Sequence, residues 1–342
     1  MIERHVIDLR KPLDRIRWLK LRQQDITASD VAAILGVHPK RTAMTVYAQK
    51  LGKLGSEDSN IMRRGRWFEP AIIEALADER PDLTVYPAKI YLRDPELRIG
   101  ATPDFIATDE DGRRGVIEGK IVARPEFLKH WVNGVFLSDQ DDEAGDAIPS
   151  GIEIKAPLWY ELQVLTQAKL DDDWAREQTD EGSGCEWAMV APLAVDAYSA
   201  SLHPVEVPIV ESAWDFVKER VADFWDRFDA GRVPDLNPAL DAKALAALYP
   251  SDDGSALDLS GDEEAAQLVA EWESLDGDLK ALDRLHQPEA ERIKAIKTEL
   301  QAKMKNATSI RMRNFEVTWK LQHRKETAAT SFRVMRKKRI GA

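Results

Sequence analysis

The sequence predicts an α/β domain over residues 1–233, a linker at 234–261, and a helical pair with a basic β-hairpin tail at 262–342. Apolar spacing is helical up to about residue 80, turns to a period of two between 83 and 123, and is helical again from 157. Two more alternating stretches precede an amphipathic helix. Beyond residue 231 the composition shifts to Pro, Asp and Ser.

In chain order, "PLDRIRWLKLRQQD" (12–25) has helical spacing, with Ile16, Trp18 and Leu19 near one face. "TASDVAAILGV" (27–37) reads as a short helix, with Ser29 as candidate N-cap and Gly36 past its end. A third helix covers "NIMRRGRWFEPAIIEALADER" (60–80), and Pro81 lies beyond it. "LTVYPAKIYL" (83–92), "IGATPDFIAT" (99–108) and "GVIEGKIVA" (115–123) alternate as successive strands do. "PLWYELQVLTQAKL" (157–170) is helical, "CEWAMVAPLAV" (185–195) and "AYSASLHPVEV" (197–207) are two more strands, and "VESAWDFVKERVADFWDRFDAG" (210–231) is an amphipathic helix. Residues 264–304 predict two helices, a hairpin broken near Gln287-Pro288, and "SIRMRNFEVTWKLQ" (309–322) alternates like paired strands. In that region Leu268, Trp272, Leu275 and Leu279 either form a coiled-coil-like arm or pack onto the first domain.

A chain of 342 residues, 44% hydrophobic, allows a sizeable core and more than one domain. It has no run of eighteen apolar residues, and "MIERHVIDLRKPLDR" lacks an apolar signal core, so the expectation is a cytoplasmic protein without a membrane partner. Cys185 is the single cysteine, which excludes a disulfide framework or a cysteine metal cluster and reads as core. A G-x-x-x-x-G-K phosphate loop is absent, which argues against an ATP-driven motor. The net charge of -12 disfavours nucleic acid only weakly, because charge is unevenly placed. Acid concentrates in "SDQDDEAGD" (138–146), "DDD" (171–173) and "SDDGSALDLSGDEE" (251–264), all expected as solvated loops. Base collects in "MRRGR" (62–66) and past Asn306, where ten Lys or Arg face two Glu.

Chemistry-bearing residues gather on the second predicted strand pair. "DEDG" (109–112) is a turn signal. A turn centred on Asp111 and Gly112 makes paired numbers sum to about 223, which sets Asp104 opposite Glu118 or Gly119. Residues two apart share a strand face, so Glu118 and Lys120 point the same way and converge with Asp104. Two carboxylates so close repel unless a cation lies between them, and hard oxygen ligands suit Mg²⁺ or Mn²⁺. A neighbouring Lys can orient a water and offset charge on a phosphate. A solvated polar face on an edge hairpin would use the same residue types. "GIEIKAP" (151–157) also offers a second Glu-x-Lys, Glu153 and Lys155.

The ordered array "WLKLRQQDITASD", "GRWFEP", "TPDF", "IEGK" and "YELQ" resembles the lambda-exonuclease and YqaJ-like viral recombinase family of PD-(D/E)xK nucleases, over roughly residues 15–200. The resemblance implies a restriction-endonuclease-like core, a mixed sheet flanked by helices, here with a C-terminal helical arm and short β-hairpin. It implies a metal-dependent exonuclease that digests linear duplex DNA from a 5′ end and leaves a 3′ single strand for recombination. Glu69, Asp104 and Glu118, with the carbonyl of Gly119, would hold Mg²⁺, with Mn²⁺ able to substitute. Lys120 would position the nucleophilic water with help from Gln163, and Tyr160 shares the Gln163 face. Arg22 and Ser29 would grip a 5′-terminal phosphate, with Thr102 where a Ser is usual and Arg124 as a further phosphate contact at an unusual offset. A single-strand annealing protein as partner, a homo-oligomeric ring and a bacterial or phage-infected host cell are further implications.

Each residue also has a plainer role. Glu69 before Pro70 could be a helix-start charge, Arg22 and Gln163 surface residues, and Ser29 only a cap. The family places its Glu-x-Lys close before the Gln helix, which favours Glu153 and Lys155. The tight hairpin beside Asp104 favours Glu118 and Lys120, with the acidic 138–149 stretch as an insertion. A structure-selective or restriction-type endonuclease, or a catalytically silent DNA-binding scaffold, stand as alternatives.

Overall fold

The computed structural model describes residues 1–55, 60–132, 152–178, 184–251, 258–259, 261–304, 309–311 and 316–318. The first unit opens with β1 (Glu3–Val6), α1 (Pro12–Gln24), β2 (Ile26–Thr27), α2 (Ala28–Ile34), α3 (Ala43–Lys50) and α4 (Asn60–Glu79). Of these, β1, β2 and α3 carry too few periodic residues for the sequence to announce them. Thr27, not Ser29, is the N-cap of α2, and Asp30 accepts from the Thr27 backbone N–H at 3.2 Å and from its hydroxyl at 2.8 Å. Glu69 is not a helix-start charge: it lies in the middle of α4, with Pro70 inside the helix.

The period-two region divides where the backbone forces it to. The expected strand 83–92 is two, β3 (Thr84–Pro87) and β4 (Ile90–Asp94), separated at Lys89 with φ 46. The expected strand 99–108 likewise becomes β5 (Ile99–Ala101) and β6 (Phe105–Thr108), with Pro103, which has no N–H for a ladder, between them. β7 (Arg114–Ala123) continues directly into the unforeseen α5 (Arg124–Trp131). Then come α6 (Leu158–Gln178), β8 (Cys185–Val195), β9 (Ala200–Leu202), β10 (Val205–Val207) and α7 (Glu211–Asp229). The expected strand 197–207 is therefore also two short ones, and both pair with β8.

These strands form two sheets, a four-stranded one in the order β1-β4-β5-β2 and a six-stranded one in the order β10-β8-β7-β6-β3 with β9 on β8. The larger is mixed: β7 runs parallel to β8 and antiparallel to β6. Phe105 lies opposite Ile117 and Thr108 opposite Arg114, and continuing that register brings Asp104 against Glu118. Alternation along β7 splits its faces. Ile117 packs with Ile72 and Leu76 of α4, while Val116 packs with Val164 and Ala168 of α6. Glu118 and Lys120 share the Val116 face and so are presented to α6. Gly119 faces α4, where an added Cβ would stand 2.9 Å from Ile72 Cδ1. α7 buries Trp214, Val217, Val221, Phe224 and Trp225 in the α6 side of the core, roughly 1.5–3 kcal/mol each relative to exposure.

"DDD" (171–173) is not a loop. It lies in α6, where Asp171 is fully buried and takes two bonds from Arg114 at 2.7 and 2.9 Å, and Asp172 pairs with Arg176 at 2.8 Å. Supplied cations, not solvent, carry these charges. The stretch expected as linker begins with ordered structure: α8 (Ala242–Leu248) packs Ala244 against Met44 and Ala48 of α3, and Thr42 donates to the buried Asp241. The first compact unit accordingly runs to Tyr249.

The second unit, from Pro250, holds α9 (Glu263–Met304) and the antiparallel pair β11 (Ser309–Arg311) and β12 (Glu316–Thr318). α9 is one 42-residue helix, not two broken near Pro288, since strong helix formers on both sides outweigh one lost backbone bond. Most of the basic tail and the acidic stretch 138–146 lie outside the described residues. No helix among the described residues is long and apolar enough to cross a membrane.

Candidate active site

A cleft of about 440 Å³ opens between α1, α4 and the α6 face of β7, and Glu69, Asp104, Glu118, Gly119, Lys120 and Tyr160 line it. Lys120 Nζ donates to Glu118 Oε1 at 2.5 Å, and the amide of Gln163 donates to the same oxygen at 2.6 Å. Lys120 lies 3.4 Å from Gln163 Oε1 and 4.8 Å from the centre of the Tyr160 ring. Asp104 sits at the head of β6, and its Oδ2 accepts the Gly119 N–H at 3.0 Å. Strand pairing, the two-residue period and the α6 turn thus bring together Asp104, Glu118, Lys120, Gln163 and Tyr160.

Charge in the cluster is incompletely balanced. Burial, then the Glu118 carboxylate, push the Asp104 carboxyl well above the usual range against the pull of Lys120. Burial also raises Glu69, partly offset by Arg66 and Arg10. Burial opposes the Lys120 charge, yet Glu118 and Asp104 outweigh it and hold the ammonium protonated above its ordinary value.

The cleft continues into a basic region. Arg22 Nη2 donates to Ser29 Oγ at 3.3 Å, and its guanidinium lies 4.5 Å over the Trp18 ring. Trp18 Nε1 in turn donates to Thr102 Oγ1 at 2.9 Å. Arg15, Arg64 and Arg66 line the same space. Beneath Ser29, Asp30 receives Arg41 at 2.5 Å and Lys50 at 3.0 Å. Burial would raise its carboxyl, but Lys50, Arg41 and Arg22 hold it far below the usual range.

Three expected residues fall elsewhere. Arg124 opens α5 outside the cleft lining, with its charge felt at Asp196 and His203, because the strand ends and the chain turns before that position. Glu153 and Lys155 pair with each other at 3.1 Å with side chains 64% and 58% exposed, in a short segment bridged to Val132, and they do not line the cleft. A second hollow, near Arg80 and Asp109, is rimmed by charges paired among themselves, Arg80 with Asp82 and Arg113 with Asp109.

Two residues of the constellation went unforeseen. Trp18 precedes Arg22 by one helical turn. Gln167 follows Gln163 by one turn, and that i, i+4 spacing is the signal that could have found it. Its Nε2 donates to Glu118 Oε2 at 2.6 Å and to the Thr102 carbonyl at 3.2 Å.

A mixed sheet sets an Asp, a Glu and a Lys over a helix Gln, beside a basic pocket. Residues 17–170, a little under half of the chain, match the family described as the YqaJ-like viral recombinase domain, and that match supports an enzyme of the nuclease class acting on DNA. No curated protein matches the chain. Among solved structures it is similar to an alkaline exonuclease from Laribacter hongkongensis at 19% identity, covering 63% of this chain and 93% of that one, with a TM-score of 0.39. The same exonuclease in complex with dAMP matches at 19%, covering 68% and 100%, with a TM-score of 0.39. A SOX–DNA complex matches at 15%, covering 60% and 66%, with a TM-score of 0.33.

Proposed function

We propose that the protein is a Mg²⁺-dependent 5′-to-3′ exonuclease on linear double-stranded DNA that leaves 3′ single strands for phage-type recombination. One observation supports the reading: a single cleft is lined by the Asp104–Glu118–Lys120 cluster and by Arg22, whose guanidinium donates to Ser29. An enzyme that starts at an end needs a seat for the terminal phosphate next to its hydrolytic centre.

The donors fit a hard divalent cation. They are all oxygens, and the carboxyls of Asp104 and Glu69 are raised chiefly by burial and further by the neighbouring Glu118. Among the described residues no three His, Cys, Asp or Glu side chains are gathered tightly enough to be a ready-made metal cage. Asp104 and Glu118 would therefore be the principal holders, with Glu69 and the Gly119 carbonyl completing the set, for Mg²⁺ or in its place Mn²⁺. When bound, the cation supplies Lewis-acid polarisation of the phosphate and a more acidic water.

The chain's own residues do the rest. Lys120, kept charged, directs its N–H donors at the nucleophilic water and offsets charge developing on the phosphate. Gln163 holds Glu118 and Lys120 in register, and the Tyr160 ring supports the ammonium. Arg22 and Ser29 seat the terminal phosphate, with Thr102 placed through Trp18. Work beside a single-strand annealing protein, assembly into a homo-oligomeric ring and action in the cytoplasm complete the proposal.

End-labelled linear and covalently closed circular duplexes of the same sequence, with and without Mg²⁺, test it. Loss of the 5′ label first, only from the linear form and only with metal, is expected. Cleavage of the circle would establish the endonuclease reading instead, and binding without cleavage of either would establish the scaffold.

A further inference from the structure

Gln167 is buried in α6, with 1% of its surface exposed, and its side-chain oxygen meets no partner among the described residues. Both groups that its Nε2 reaches, Glu118 Oε2 and the Thr102 carbonyl, are acceptors. Turning the amide over would press oxygen against oxygen, so the orientation is set by chemistry. A glutamine kept for stability would satisfy both ends of its amide. This one strands its acceptor in the core to spend both donor directions on the cleft.

Those two bonds join separate parts of the site. Glu118 is held on Oε1 by Lys120 and Gln163 and on Oε2 by Gln167. Thr102 lies two residues before Asp104, and its hydroxyl accepts from Trp18, over which Arg22 lies on its way to Ser29. One amide therefore links a cation-side carboxylate to the segment that carries the other carboxylate and touches the phosphate pocket.

We propose that Gln167 is a positioning residue that couples occupation of the Arg22–Ser29 pocket to the alignment of Glu118 and Asp104. A phosphate drawing on Arg22 bears on Trp18 and Thr102, and Gln167 transmits the position of the Thr102 carbonyl to Glu118. End binding then improves the carboxylate geometry, and unphosphorylated ends are cut more slowly for that reason as well as for weaker binding. The inference rests on the exonuclease reading for its activity arm, and a metal-binding arm reads the alignment independently.

The test is Gln167→Met, which keeps chain length and removes the amide, beside Thr166→Val as a control for disturbing α6, since the Thr166 hydroxyl donates to the Leu162 carbonyl of its own helix. Mn²⁺ affinity by calorimetry, thermal melting, and kcat and KM on 5′-phosphate and 5′-hydroxyl duplexes are measured. Gln167→Met is expected to bind Mn²⁺ and turn over about 10–100-fold less well per folded molecule, the range for residues that orient metal ligands. Its preference for the phosphorylated end should fall in kcat more than in KM. Wild-type Mn²⁺ affinity and end preference in a folded Gln167→Met would overturn the proposal. Should that variant fail to fold, Trp18→Phe, which keeps the ring but drops the N–H to Thr102, should reduce the kcat preference, and an unchanged preference overturns the coupling. If the wild type degrades no DNA while Gln167→Met still weakens Mn²⁺ binding, the exonuclease reading fails and the positioning of Glu118 stands.

Discussion

Replacing Lys120 and Lys155 by Ala, one at a time, separates the two Glu-x-Lys motifs. Lys120 Nζ is 2.5 Å from Glu118 and faces the cleft with 20% of its side chain exposed. Losing an electrostatic group that acts on the transition state typically costs about 10²–10³ in rate, or roughly 2.7–4 kcal/mol of barrier. The change also strips the cation from a buried carboxylate, since Glu118 is 3% exposed, and such losses typically cost about 3–5 kcal/mol of stability. Rates must therefore be expressed per folded molecule, with circular dichroism and a thermal melt on each variant. Lys155, more than half exposed and paired with the similarly exposed Glu153, belongs to a class of ion pair worth about 0–1 kcal/mol. Its removal should leave single-turnover rate at saturating DNA within about twofold and the melting temperature nearly unchanged. The pair Glu118→Gln and Glu153→Gln should repeat the contrast. A dead Lys155 variant beside an active Lys120 variant would refute the assignment and move the chemistry to "GIEIKAP".

Three further outcomes are expected. Asp104→Asn should abolish cleavage and Mn²⁺ binding by calorimetry while raising metal-free stability at neutral pH. The wild-type carboxyl is raised in the fold, so the native state binds the proton more tightly and metal-free stability falls as pH rises from the unfolded value through the folded one; melts of the variant should lack that part of the slope. Arg22→Ala should erase the rate difference between 5′-phosphate and 5′-hydroxyl ends, and a preference that survives would place the pocket elsewhere. Arg114→Ala should leave Asp171 buried without its bidentate partner and destabilise the unit by about 3–5 kcal/mol in urea titrations, with little change in kcat per folded molecule.

Local signals in the chain were enough for the period change near residue 83, the turn at 109–112, the long α4, α6 and α7, and the face shared by Glu118 and Lys120, because each depends on spacing within one element. The same spacing set Asp104 opposite Glu118 or Gly119, since a tight turn leaves little freedom of register, and the pairing of β6 with β7 continues to Glu118. Short elements escaped notice: β1, β2, α3 and α5 hold their shape through neighbours distant in sequence, as when β1 pairs with β4. Nor could spacing tell that 83–92 and 99–108 each serve two sheets, or that Asp171 meets Arg114, 57 positions earlier. The two Glu-x-Lys motifs look alike along the chain, yet one is walled in by α6 and carries a buried carboxylate while the other lies in water. Burial and the partners it assembles are properties of the packed molecule, because they depend on which distant residues arrive at a position. They separate Lys120 from Lys155, seat Trp18 between Arg22 and Thr102, and turn Gln167 from one more helix residue into a link across the site.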